Sequence, residues 1–165
     1  MQTEEITLTS ATDEKRKILL CCFVCTGNTC RSPMAAALTN FLGAKHGVFA
    51  DSRGIHASVG APISENAVVA LRARGVENTP QNDYLSHRAK QITRADFDAF
   101  DCIFAMSSAH ASALLFAFPE CAGKIRVLGE IADPFGGDEE VYKQTLAQIE
   151  AALLLQFPYL KDDKI

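Results

Sequence analysis

The sequence predicts an open, parallel α/β sheet with helices on both faces. Three observations lead there. Short runs of unbroken apolar residues, at 18–24 and 102–106, read as strands buried on both sides. Segments with apolar residues at helical spacing lie between the strands, so strand and helix alternate along the chain without internal repeat. A polar, glycine-bearing loop at 25–33 joins the first strand to an alanine-rich helix, and open α/β sheets carry their ligand loops at strand carboxyl ends.

Taken in order, residues 1–16 are polar and mixed in charge and read as a solvated N-terminal tail, with a short edge strand through Ile6-Thr7-Leu8-Thr9 as the alternative. The strand at 18–24 follows. A helix over 32–46 places Met34, Leu38, Phe41 and Leu42 on its apolar positions, and Gly43 or Gly47 ends it. Residues 49–55 form the second strand, and Gly60-Ala61-Pro62 makes a turn. Ser64 caps a helix through Ala67, Val68, Leu71 and Arg74. The third strand, 102–106, lies between Asp101 and Ser107. Ser107 or Ser108 caps the next helix, which Pro119 stops. The fourth strand covers 125–128. The last helix, 139–157, is expected to bury Leu146, Ile149, Ala152, Leu153 and Gln156 along one face, and Pro158 ends it.

Composition narrows the class of function. The 165 residues are 48% hydrophobic and 22% charged, which fits one soluble globular unit. A net charge of −4 argues against a nucleic-acid partner, because phosphate backbones demand clustered positive charge. The apolar run at 18–25 is far too short to span a bilayer. Four of the six cysteines crowd into 21–30, and no secretory leader precedes them. That pattern is not a disulfide framework, and a reducing, cytoplasmic setting is expected. Cys22 and Cys25 have redox-pair spacing, but Cys22 lies inside a strand rather than at a helix start. No second ligand pair at zinc spacing follows, so neither metal nor cofactor is expected.

The chemistry gathers in Cys25-Thr26-Gly27-Asn28-Thr29-Cys30-Arg31-Ser32-Pro33. A loop between a strand end and a helix start turns successive backbone N–H groups inward, and the helix dipole adds positive potential. Arg31 offers a planar fork for two oxygens of a phosphate. Cys25 at the floor lies in the same field, which favours a nucleophilic thiolate, and Ser32 can donate a hydrogen bond to it. Gly27 lets the backbone turn unobstructed, and Asn28 tolerates a left-handed conformation. Pro33 falls near the first helical turn, where its missing N–H costs little. Farther along, Asp133-Pro134-Phe135-Gly136-Gly137 reads either as a turn or as a stiffened loop holding a carboxyl over the pocket.

The string Cys-x-Gly-Asn-x-Cys-Arg-Ser-Pro after a hydrophobic strand resembles the signature of the low-molecular-weight protein phosphatase family, and the match is complete. The resemblance runs from about Lys17 to Phe157. It implies a four-stranded, flavodoxin-like sheet and a single phosphatase domain over 17–165. It also implies metal-independent hydrolysis of phosphorylated proteins through a phosphocysteine. Cys25 would be the nucleophile, Arg31 the phosphate clamp and Asp133 the general acid. Thr26, Gly27, Asn28, Thr29, Cys30, Ser32 and Phe135 would bind substrate. Ser52 and His87 would support Asn28, although Arg53 replaces the family's alanine beside Ser52.

Thr26, Thr29, Phe135-Gly136-Gly137 and Tyr142-Lys143-Gln144-Thr145 resemble the bacterial protein-arginine phosphatase branch, so phosphoarginine is the expected substrate. Phosphotyrosine is the alternative. An arsenate reductase and a silent phosphopeptide-binding module are more distant ones. Asp138 stands where relatives often carry serine and would offer a guanidinium one more charge. Cys25 and Cys30, so close in the loop, are expected to form a reversible, protective disulfide under peroxide.

Overall fold

A computed structural model describes residues 17–161. The expected tail at 1–16, with its alternative edge strand, and residues 162–165 lie outside the described residues.

β1 (Leu19–Cys25) is the axis of the sheet. Its residues alternate between two apolar layers: Cys21, Phe23 and Cys25 belong to one, and Cys22 and Val24 to the other. It pairs in parallel with β2 (Val48–Gly54) on one side and with β3 (Cys102–Ala105) on the other. β4 (Ile125–Val127) pairs in parallel with β3, giving the order β2-β1-β3-β4. The first residues of the predicted strand are less enclosed than a fully buried run implies: Ile18 is 53% exposed and Leu20 37%.

α1 (Arg31–Gly43), α2 (Glu65–Arg74) and α5 (Glu139–Gln156) cover one face, packing Met34, Leu38, Leu71, Ile149 and Leu153 with Phe23 and Phe104. α3 (Arg94–Ala99) and α4 (Ser108–Ala117) cover the other, where Phe97, Ala111 and Leu114 surround Ile103 and Val24. The loop after β1 and the one after β3 therefore leave toward opposite faces. The crevice between their carboxyl ends is the topological switch point, the ordinary ligand position in such sheets.

Local chemistry sets the ends of the helices. Ser64 accepts from the Ala67 N–H and Ser107 from the His110 N–H, as cap residues do. After α1, a 3₁₀ turn at Ala44–His46 runs into Gly47, whose φ of 78° turns the chain toward β2. α5 departs from expectation at both ends. Gln156 is exposed, because the helix stops there and Phe157 turns inward against Phe104, ring centroids 5.9 Å apart. Tyr142 and Thr145 are buried on the face instead. Asp138 is the N-cap of α5, its Oδ1 accepting the Val141 N–H at 3.0 Å. One of its oxygens is thus committed to the helix rather than offered to a guanidinium.

Candidate active site

The loop between β1 and α1 is built by its carbonyls. Those of Cys25, Thr26, Gly27 and Thr29 accept from the N–H groups of Ile55, His56, Ser58 and Ser64, at 2.9–3.1 Å. The Asn28 carbonyl meets His87 Nε2 at 2.8 Å, and the Cys30 carbonyl takes the helical N–H of Met34. In a trans peptide the C=O and the following N–H point in opposite directions, and no peptide bond here is cis. With the carbonyls held outward by the segment 55–64 and by His87, the N–H groups from Thr26 to Cys30 turn to the other side. None of them donates to a protein acceptor among the described residues. Unpaired donors converging ahead of a helix N-terminus form a cradle for an anion with several oxygens.

Asn28 holds this shape. It is fully buried and has a φ of 63°, the one positive value among described residues other than glycine. Its Nδ2 donates to Ser32 Oγ at 2.8 Å and to Ser52 Oγ at 2.9 Å, and its Oδ1 accepts the Lys90 N–H at 2.9 Å. The left-handed residue of the loop is therefore Asn28 and not Gly27. A Cβ at Gly27 would meet only Ser58 Oγ at 3.7 Å and Thr29 Oγ1 at 3.9 Å, ordinary contact distances, so no close approach demands glycine there. Gly54 matters more for packing. A Cβ there would come within 2.7 Å of the Thr26 carbonyl, where β2 and the loop approach most closely. Arg53, the residue that departs from the family pattern, turns away from the loop. It binds Asp51 at 3.0 Å and Asp96 at 3.2 Å and lies over the Phe100 ring, which leaves Ser52 free to hold Asn28.

Around the cradle, Cys25 Sγ lies 3.0 Å from Ser32 Oγ at the buried floor. Arg31 is 7% exposed; it donates to the Ile131 carbonyl at 3.2 Å and stands 3.6 Å from Asp133 Oδ2. Asp133 itself is 60% exposed at the mouth, with Oδ1 accepting the Phe135 N–H. Phe135 presents its ring to solvent at 79% exposure. Thr29 Oγ1 has only a 3.7 Å contact with Cys30 Sγ and no bond to the loop backbone. Cys30 Sγ lies 3.2 Å from the Tyr142 hydroxyl, so a disulfide with Cys25 requires it to leave that partner. Among the described residues, no group of histidine, cysteine or acidic side chains could hold a metal ion.

Two contributors were not read from the sequence. His110, on the first turn of α4, places Nε2 2.9 Å from Thr26 Oγ1 and Nδ1 2.7 Å from Ser107 Oγ. Tyr142, on α5, backs Cys30. The sequence placed a serine cap just before His110 and put Tyr142 in the stretch resembling the arginine-phosphatase branch, but it gave neither residue its partner in the loop. Burial holds His87 below the ordinary histidine range, against the opposing pull of the Asn28 carbonyl. Burial and the Arg31 cation do the same to His110, opposed by Asp133 and Glu130. Burial, with the Cys30 contact behind it, leaves the Tyr142 hydroxyl pushed up to about 12. The arrangement can grip a tetrahedral oxyanion above a sulfur, with a carboxyl at the entrance.

The chain is similar to known proteins in sequence and in fold. A protein-arginine-phosphatase of Geobacillus stearothermophilus is 37% identical over 139 residues, spanning 79% of this chain and 88% of that protein. A low molecular weight protein-tyrosine-phosphatase of Streptomyces coelicolor is 33% identical over 151 residues, spanning 79% and 87%. Among solved structures, a cysteine-to-serine mutant of the YwlE arginine phosphatase with a phosphorylated active-site serine superposes with a TM-score of 0.76. It is 31% identical, over 88% of this chain and 98% of that one. The family model for low molecular weight phosphotyrosine protein phosphatases matches residues 20–164, cradle and acid loop included, and the chain belongs to that family.

Proposed function

We propose that this protein removes phosphate from phosphoarginine in proteins through a phosphocysteine formed on Cys25, within a single domain over 17–165 in a cytoplasmic setting. The observation that carries the phosphatase chemistry is the set of outward-held carbonyls, which leaves the N–H groups of Thr26 to Cys30 unpaired beside Cys25 and Arg31. In the first step Cys25 sulfur attacks phosphorus in line, and the bond from phosphorus to the leaving nitrogen breaks with its electron pair. The cradle and Arg31 stabilise the equatorial oxygens. Asp133, entering protonated, gives its proton to the leaving guanidine. Its carboxylate then takes a proton from the water that cleaves the sulfur–phosphorus bond, releasing phosphate and the thiolate. Ser32 keeps that thiolate hydrogen-bonded in both steps. No metal or cofactor takes part in this scheme.

Thr29 supports arginine as the substrate. Its hydroxyl stands at the rim without a strong protein partner, where it can accept from a guanidinium, and the Geobacillus relative is named for this activity. Phosphotyrosine is the second reading, since the Streptomyces relative is named for that substrate; the exposed Phe135 ring at the mouth can pack on an aryl group as well as on a guanidinium. An arsenate reductase needs further thiols, outside the loop, poised to relay a disulfide to Cys25. Cys102 instead lies 3.7 Å from Cys21, four residues and roughly 13 Å back along β1 at strand rise. The test is turnover of matched phosphoarginine and phosphotyrosine peptides, with Cys25→Ser as control. Preference for phosphoarginine is expected, with turnover abolished in the variant. Preference for phosphotyrosine would transfer the assignment to the second reading, and activity retained in Cys25→Ser would remove the phosphocysteine.

A further inference from the structure

We infer that His110 is a positioning residue of the phosphate loop, binding Thr26 through its ring and taking up a proton when an oxyanion enters the cradle. The inference rests on the phosphatase reading and adds a residue to it. Thr26 is the first loop residue after Cys25, and it is held from two sides. The His56 N–H takes its carbonyl at 2.9 Å, and His110 takes its hydroxyl at 2.9 Å. His110 is itself fixed, because Ser107 Oγ meets Nδ1 at 2.7 Å and also accepts the His110 backbone N–H at 3.1 Å. The ring thus bridges the start of α4 to the loop across the switch-point crevice.

Both ring partners are hydroxyls, and a hydroxyl can donate or accept by rotating its proton. The ring can therefore be neutral or charged without losing either hydrogen bond. What decides between the two states is the surrounding charge. Arg31 on α1 opposes a proton on the ring, whereas Asp133 and Glu130 after β4 favour one. In the free protein, burial and Arg31 prevail and the ring is held below the ordinary histidine range. A dianion on Arg31 cancels that repulsion and adds attraction of its own, so the ring gains a proton as the anion docks. Linkage makes the effect reciprocal: the charged ring must tighten anion binding by the same factor. A residue that merely tied α4 to the loop would leave the pH dependence of binding unchanged.

Sulfate is the suitable probe, because it stays a dianion between about pH 5 and 8, the range in which histidine titrates. Its affinity would be measured by calorimetry across that range for the wild type and His110→Gln, which keeps an amide hydrogen bond without a titrating group. As pH falls, wild-type affinity should gain about fivefold or more over the variant, the low end of ordinary site-to-site coupling. In wild-type protein the ring ¹⁵N signals of His110 should titrate at higher pH with sulfate than without, a readout that does not depend on the variant folding. Superimposable pH dependences, or a ring titration that sulfate does not move, would overturn the inference and leave the phosphatase reading intact. Absence of sulfate binding altogether would overturn the cradle and this inference together.

Discussion

At the scale of single residues, Asn28 and Thr29 divide the work of the loop. Asn28 is buried, left-handed and bonded on every side, so it sets shape. Thr29 is half-exposed with a single weak contact, so it is available to substrate. Thr29→Ile should therefore alter selection while sparing the fold. Loss of a hydrogen bond to a charged guanidinium costs about 1.5–3 kcal/mol. One further buried methylene against a tyrosine ring is worth about 1 kcal/mol at most. Together these should swing the ratio of phosphoarginine to phosphotyrosine turnover by roughly 10²-fold, at 1.4 kcal/mol per decade. A ratio constant within about threefold, or ~0.65 kcal/mol, would defeat the specificity argument and leave the catalytic assignment standing.

At the scale of elements, α5 and the segment carrying His87 each make a separate claim. Asp138 caps α5, so Asp138→Ala should cost about 1 kcal/mol in urea denaturation and leave phosphoarginine turnover within about threefold. A tenfold loss of turnover at unchanged stability would return Asp138 to the guanidinium role suggested by its charge. His87 makes a pH-dependent claim. Burial keeps its folded ring titrating below the ordinary 6.5, so between the two values the unfolded chain binds more protons. The stability this contributes is complete above about pH 6.5 and declines as pH falls through it. Urea midpoints should therefore drop from pH 7 to roughly pH 5, the histidine range. His87→Gln should flatten the decline in part, because His110 is depressed in the same sense. An unchanged slope in that variant would show that the buried ring is not the source.

At the scale of the whole molecule, what the sequence disclosed was what is local. The four strands, the caps at Ser64 and Ser107 and the nine-residue loop are each written in neighbouring residues. Partners brought together by the sheet are not: His110 meets Thr26 across 84 positions and Tyr142 meets Cys30 across 112, and neither pairing leaves a spacing to read. Asp138 was weighed for its charge alone, and its place as the cap of α5 was not read. These distant contacts give the last prediction. The cradle draws on β1, α1, the segment 55–64 and residues 87–90, so an oxyanion bound there should stabilise the molecule as a whole and not the loop alone. Molybdate at a hundred times its dissociation constant should add about 2.7 kcal/mol, by mass action on the folded state. For a chain of this size each kcal/mol raises the melting temperature by about 2–4 °C, so a rise of roughly 5–11 °C is expected. Cys25→Ser should retain most of that rise, since backbone N–H groups and Arg31 remain. Arg31→Ala should lose most of it, because its side chain is the cation held 3.6 Å from Asp133 at the pocket. Equal shifts in all three proteins would place the anion outside the cradle.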